Sequence, residues 1–140
     1  MEKKFYQLIE HTADIGIRIE AADLKGLFEK AAIAMFDIMA QRLENPGRKI
    51  TTLKVTQSAL DLEGLLVNWL NELLSLSATR GLIFTGFRIE DLNEKRIEAE
   101  SEGEDIRGFK VSVEIKAATY HQLKITKTSF GWLAEVIFDV

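Results

Sequence analysis

Glu10-His11-Thr12-Ala13-Asp14-Ile15-Gly16-Ile17 places a histidine and an aspartate between two apolar runs, residues 5–9 and 15–19. In the second run Ile15, Ile17 and Ile19 alternate with Gly16, Arg18 and Glu20, the period-two pattern of a strand with one buried face. Both runs therefore read as strands, with residues 11–14 forming a bulge or tight bend between them and Gly16 leaving room for close backbone approach. The far end of the chain, Val136-Ile137-Phe138-Asp139-Val140, sets an aspartate beside the carboxylate of the last residue. The only other histidine sits in Lys116-Ala117-Ala118-Thr119-Tyr120-His121. The expectation is that the fold brings the first and last of these stretches together into one site, with the third nearby.

Working outward, Asp23 is a suitable N-cap for a helix in which Leu24, Leu27, Phe28, Ala31, Met35, Ile38 and Met39 keep helical spacing. Met35 and Met39 read as core filling rather than as a soft binding surface. Asn45-Pro46-Gly47 marks a turn, and the threonine-rich residues 49–57 read as an edge strand. Asp61 caps a second helix whose stripe is Leu62, Leu65, Leu66, Trp69, Leu70 and Leu73. Gly64, Asn68 and Glu72 share another face, with Asn71 and Ser75 beside them, and Glu72 reads first as a solvated position. Gly81 ends that helix.

Residues 82–90 and 96–100 read as a hairpin, followed by Ser101-Glu102-Gly103-Glu104-Asp105 as a solvated acidic loop. Phe109, Val111, Val113 and Ile115 alternate as a strand, residues 121–125 continue extended, and a turn over 126–131 leads into the last strand. Ile137 breaks the alternation there, which predicts burial on both faces. About eight strands with short connections and two long helices predict one α+β domain, two helices packed on a mostly antiparallel sheet.

The composition is that of an ordinary globule, with 46% hydrophobic and 29% charged residues among 140. A net charge of −4 argues against a dominant phosphate-binding surface. The absence of cysteine excludes disulfides, thiolate chemistry and cysteine-ligated zinc, and fits a reducing compartment. With no signal-like apolar core at the N-terminus and no run of membrane-spanning length, the expectation is a cytoplasmic protein with no membrane association. No GxGxxG, GxxxxGK[ST] or GxSxG motif is present, so no nucleotide-binding or hydrolase signature is available.

Glu10, His11, Asp14, Glu72, His121, Asp139 and the Val140 carboxylate are the groups to test for convergence. Such an oxygen-rich set suits a hard divalent cation, Ca²⁺ or Mg²⁺, better than zinc, although aspartates beside strands also cap turns. His11 and Asp14 lack a nucleophile on a marked elbow, which argues against a triad. Lys116, Tyr120 and His121 could contact a phosphate or a partner's acidic groups, or Tyr120 could be structural with its ring buried.

Taken together and in order, residues 11–15, the helix 61–74, residues 116–121 and residues 136–140 resemble the archease family over nearly the full length of the chain. The resemblance implies a small α+β protein, not itself an enzyme, that assists an RtcB-type RNA ligase in tRNA splicing and RNA repair. The implied action is to promote guanylylation of the ligase's active-site histidine and to restore turnover, with RNA or tRNA associated only indirectly. It further implies a divalent metal, Ca²⁺ (or Mg²⁺ or Mn²⁺), held by Asp14, Asp139 and, through its carboxylate, Val140. His11, Glu72, Lys116, Tyr120 and His121 fall in matching motifs as a further functional surface without fixed roles. Two departures are small: Val140 stands where the family often has isoleucine, and Ala118 where it often has valine. The competing readings are a stand-alone metal-dependent hydrolase or nuclease on the same carboxylates, and a general RNA or tRNA-modification chaperone.

Overall fold

The computed structural model describes residues 5–10, 14–44 and 49–140; His11, the side chain of Glu10 and the expected Asn45-Pro46-Gly47 turn lie outside the described residues. The elements run β1 (Tyr6–Glu10), β2 (Asp14–Ala21), α1 (Leu24–Met39), β3 (Ala40–Arg42), β4 (Ile50–Ser58), α2 (Leu62–Arg80) and β5 (Leu82–Leu92). They continue with β6 (Arg96–Asp105), a 3₁₀ turn (Ile106–Gly108), β7 (Phe109–Val111), β8 (Ala117–Thr128) and β9 (Gly131–Asp139). Every strand pairing among the described residues is antiparallel. Among the described residues the strands form three sheets rather than one, in the orders β1-β2-β9-β8, β3-β7 and β4-β6-β5.

The helices begin where their caps predict. The Asp23 and Asp61 carboxylates each accept the backbone N–H three residues on, from Gly26 and Gly64, both at 2.7 Å. Gly81 closes α2 at φ 65°, the left-handed conformation that glycine adopts without steric cost. Leu27, Phe28, Ala31, Met35 and Met39 of α1 are buried, which makes both methionines core filling. The α2 stripe buries Leu65, Leu66, Trp69, Leu70 and Leu73. Trp69 joins the layers: its Nε1 donates to the Phe28 carbonyl at 3.0 Å and its ring meets Phe87 edge-on at 5.8 Å. Helix α1 packs on β2, β9 and β5, and α2 on β8, β4, β5 and β6, so each helix touches both larger sheets over one core.

Two further expectations change. Residues 101–105 are not a solvated loop but the end of the central strand β6. Small Ser101 and Gly103 continue the inward row begun by Ile97 and Ala99, so a polar sequence conceals a buried face. Glu104 is only 4% exposed, and its carboxylate accepts from the two terminal Arg42 guanidinium nitrogens and from Thr85 Oγ1. Residues 109–115, in contrast, do not form a full strand. β7 pairs with three-residue β3 and runs out of partner where α1 ends, so the Ser112 and Val113 N–H groups turn to the Met39 carbonyl. Burial of Val136, Ile137 and Phe138 matches the two-faced burial expected of the last strand.

Candidate functional site

The register of the four-stranded sheet sets Asp14 of β2 directly opposite Asp139 of β9, and Ala117 of β8 opposite Asp139 on the other side. Directly opposed residues of an antiparallel pair project to the same face, with Cβ atoms about 4.5–5.5 Å apart, and like charges in that position repel. This is the face turned away from the helices, because Ile17 and Ile19 on β2 and Val136 and Phe138 on β9 point into the core. Two rows along the same face the charges are balanced instead: Arg18 Nε and a terminal nitrogen donate to Glu135 Oε1 at 3.0 and 2.7 Å. Among the described residues no cation is paired with Asp14 or Asp139.

Local packing holds this end of the sheet. A Cβ on Gly16 would lie 3.0 Å from Ile9 Cβ and 3.1 Å from Ile137 Cδ1. The glycine thus lets those two side chains close over the row next to the aspartates. The Lys116 N–H donates to the Asp139 carbonyl at 2.8 Å and Thr119 Oγ1 to the Ile137 carbonyl at 3.0 Å. Val140 follows β9 and is 37% exposed. Two carboxylates on one face beside an accessible chain end form an all-oxygen donor set, which fits a hard cation such as Ca²⁺, Mg²⁺ or Mn²⁺.

The other candidate residues do not complete that set. Among the described residues no group of three or more His, Cys, Asp or Glu side chains stands close enough to hold a metal, so neither Glu72 nor His121 joins the aspartate pair. Glu72 is half-buried rather than solvated, and its Oε2 accepts from Gln57 Nε2 of β4 at 3.1 Å. Beyond Thr119, β8 leaves register with β9 until Lys124, and in this bulge Gln122 takes φ 53°. The bulge presents Tyr120 and His121 at the surface, and Tyr120 is 64% exposed rather than buried. Its hydroxyl lies 3.7 Å from where a Gly64 Cβ would stand, over the first turn of α2.

The model of the archease protein family matches residues 6–140. The chain belongs to the archease family. It is 38% identical to the archease of Methanosarcina barkeri, over 98% of this chain and 97% of that protein. It is likewise 38% identical to the archease of Pyrococcus abyssi, over 98% and 99%. Among solved structures, Methanobacterium thermoautotrophicum protein 1598 superposes with a TM-score of 0.72 at 28% identity, covering 97% of this chain and 99% of that one. An archease of Thermotoga maritima, described as a possible chaperone, superposes with a TM-score of 0.63 at 25% identity, covering 100% and 98%.

The role of two asparagines and one cavity went unread in the sequence. Asn71 and Asn68 clamp α2 to the two larger sheets; the recurrence at 64, 68 and 72 marked their face, but nothing local named these partners. A cavity of about 560 Å³ lies between the end of α1, β5 and β7, lined in part by Phe36, Asp37, Arg42, Phe84, Thr85 and Phe109. None of its lining comes from the aspartate row, and the carboxylate pair rather than this concavity defines the candidate site.

Proposed function

We propose that the chain is a metal-binding accessory protein of an RtcB-type RNA ligase, promoting guanylylation of the ligase's active-site histidine and repeated turnover without being the catalyst. Membership of the archease family supports an accessory role. The observation that carries the metal reading is Asp14 opposite Asp139, two carboxylates on one sheet face with no cation partner among the described residues. A bound divalent cation would offset their repulsion, with the Val140 carboxylate as third donor, and would supply charge neutralisation at phosphate oxygens. The Tyr120–His121 bulge of β8 and Lys116, just before that strand, form the surface we assign to the ligase. The lack of cysteine agrees with a cytoplasmic setting, and no helix among the described residues is long and apolar enough to cross a membrane.

Asp14→Asn separates this reading from its rivals. Without metal the variant should be more stable than wild type by roughly 0.2–1 kcal/mol, because a like-charge cross-strand pair is removed. Wild type should gain about 2.7 kcal/mol at a Ca²⁺ concentration 100-fold above its dissociation constant, and Asp14→Asn should gain little. In single-turnover guanylylation of an RtcB-type ligase, wild type should stimulate. Asp14→Asn should not, nor should a chain extended by one residue after Val140. Full stimulation by either altered chain would sink the metal reading. RNA hydrolysis by the chain alone, lost with Asp14→Asn, would assign it instead as a metal-dependent nuclease.

A further inference from the structure

We infer that Asn71 is the positioning residue of the aspartate site, acting through β8. Its side-chain amide takes both backbone groups of one residue: Ala118 N–H donates to Asn71 Oδ1 at 2.7 Å, and Asn71 Nδ2 donates to the Ala118 carbonyl at 3.1 Å. β8 is an edge strand of its sheet, so these groups would otherwise face outward without a neighbour. Asn71 does for Ala118 what a fifth strand would do.

That bond pair has consequences two residues away. Ala117 is the register partner of Asp139, and the Lys116 N–H holds the Asp139 carbonyl at 2.8 Å. On the other side of Ala118 the register is lost after Thr119 and recovers only at Lys124, so β8 gains little fixity from its own continuation. Segment 116–119 is therefore held by β9 on one edge and by Asn71 on the other. Asp139 is in turn fixed between β2, which carries Asp14, and this segment. Asn71 touches neither aspartate; it sets the strand that sets Asp139.

Asn68 provides the matched comparison. It lies one turn earlier on the same helix and donates to the Ser58 carbonyl at 2.8 Å, clamping α2 to the other sheet. Asn71→Ala and Asn68→Ala each remove an asparagine clamp from α2, but only the first lies on the path to Asp139.

The inference rests on the reading of Asp14 and Asp139 as a metal pair, and two measurements keep the claims apart. Calorimetric titration with Ca²⁺ should show affinity falling by about tenfold or more in Asn71→Ala and unchanged in Asn68→Ala, the size expected when support behind a ligand is lost. Amide hydrogen exchange without metal should show the Lys116 N–H losing protection in Asn71→Ala but not in Asn68→Ala, with both compared at equal global stability. Asn71→Leu, near-isosteric and a stronger helix former, carries the same expectations if the alanine variant does not fold. Wild-type protection at Lys116 in the Asn71 variants overturns the inference, and so does lost protection with undiminished Ca²⁺ affinity. If wild type takes up no Ca²⁺, Mg²⁺ or Mn²⁺, the metal reading falls. Exchange at Lys116 then decides by itself whether Asn71 positions the strand end.

Discussion

Ser101 and Ser77 show how differently two buried hydroxyls can contribute. Ser77 Oγ donates to the Leu82 carbonyl and so ties the end of α2 to the start of β5. Ser101 sits on the inward row of β6 with no exposed surface, and its Oγ has no hydrogen-bond partner among the described residues. A buried hydroxyl left without a partner costs about 1–3 kcal/mol. Ser101→Ala should therefore raise stability by roughly 1 kcal/mol, read as a higher urea midpoint at unchanged slope. A lower midpoint would mean that the hydroxyl is satisfied after all. Gly131 is constrained more severely: at φ 149°, a Cβ there would lie 2.2 Å from the Ala21 carbonyl oxygen, so the β8–β9 hairpin closes against β2 only with glycine. The sequence shows the turn at Gly131 but not this contact, which depends on a strand distant in the chain.

The acidic run of β6 ends in a short element with its own cap. Asp105 accepts the Arg107 N–H at 2.9 Å and binds the Arg107 guanidinium through both carboxylate oxygens, at 3.0 and 2.7 Å. The guanidinium first, and the backbone N–H second, hold the Asp105 pKa down from the ordinary 3.8 to about 2. A carboxylate with a depressed folded pKa contributes stability that is complete above its unfolded value and is lost as pH falls through the folded one. The cap should thus persist to pH 4 and open between about pH 4 and 2. Carbon-detected NMR titration of the Asp105 carboxyl tests this, and a midpoint near 3.8 would overturn it. At the same scale, the i, i+4, i+8 recurrence of Gly64, Asn68 and Glu72 located a second face on α2 but not its use. Solvent was the expected neighbour, whereas β4 and β8 supply partners for Asn68, Asn71 and Glu72.

Across the whole molecule, Trp69 is where both helices and the three-stranded sheet meet. Its fully buried ring and its bond to the Phe28 carbonyl make it a contact shared by the layers. Trp69→Ala should cost about 3–5 kcal/mol, because the cavity left cannot close without moving a helix. Melting should fall by roughly 10 °C or more. A loss below about 1 kcal/mol in chemical denaturation would show that the layers are not coupled through this ring. The same assembly produces the aspartate row, since the pairing of β2 with β9 joins strands far apart in the chain, as Asp14 opposite Asp139 shows.

The sequence by itself determined the features that arise within a few residues: both helix starts from Asp23 and Asp61, the stop at Gly81, the alternation of β2 and the two-faced burial of β9. Capping, period and glycine conformation depend on local backbone geometry and on which side chains avoid water, and both can be read along the chain. Only the tertiary structure decided that the strands divide into three sheets and that polar residues 101–105 complete a central strand. It alone set Asp14 opposite Asp139 and gave Asn71 to Ala118. Each of these joins groups far apart in the chain, and the pairing is chosen by how the whole core closes, a quantity no local pattern contains.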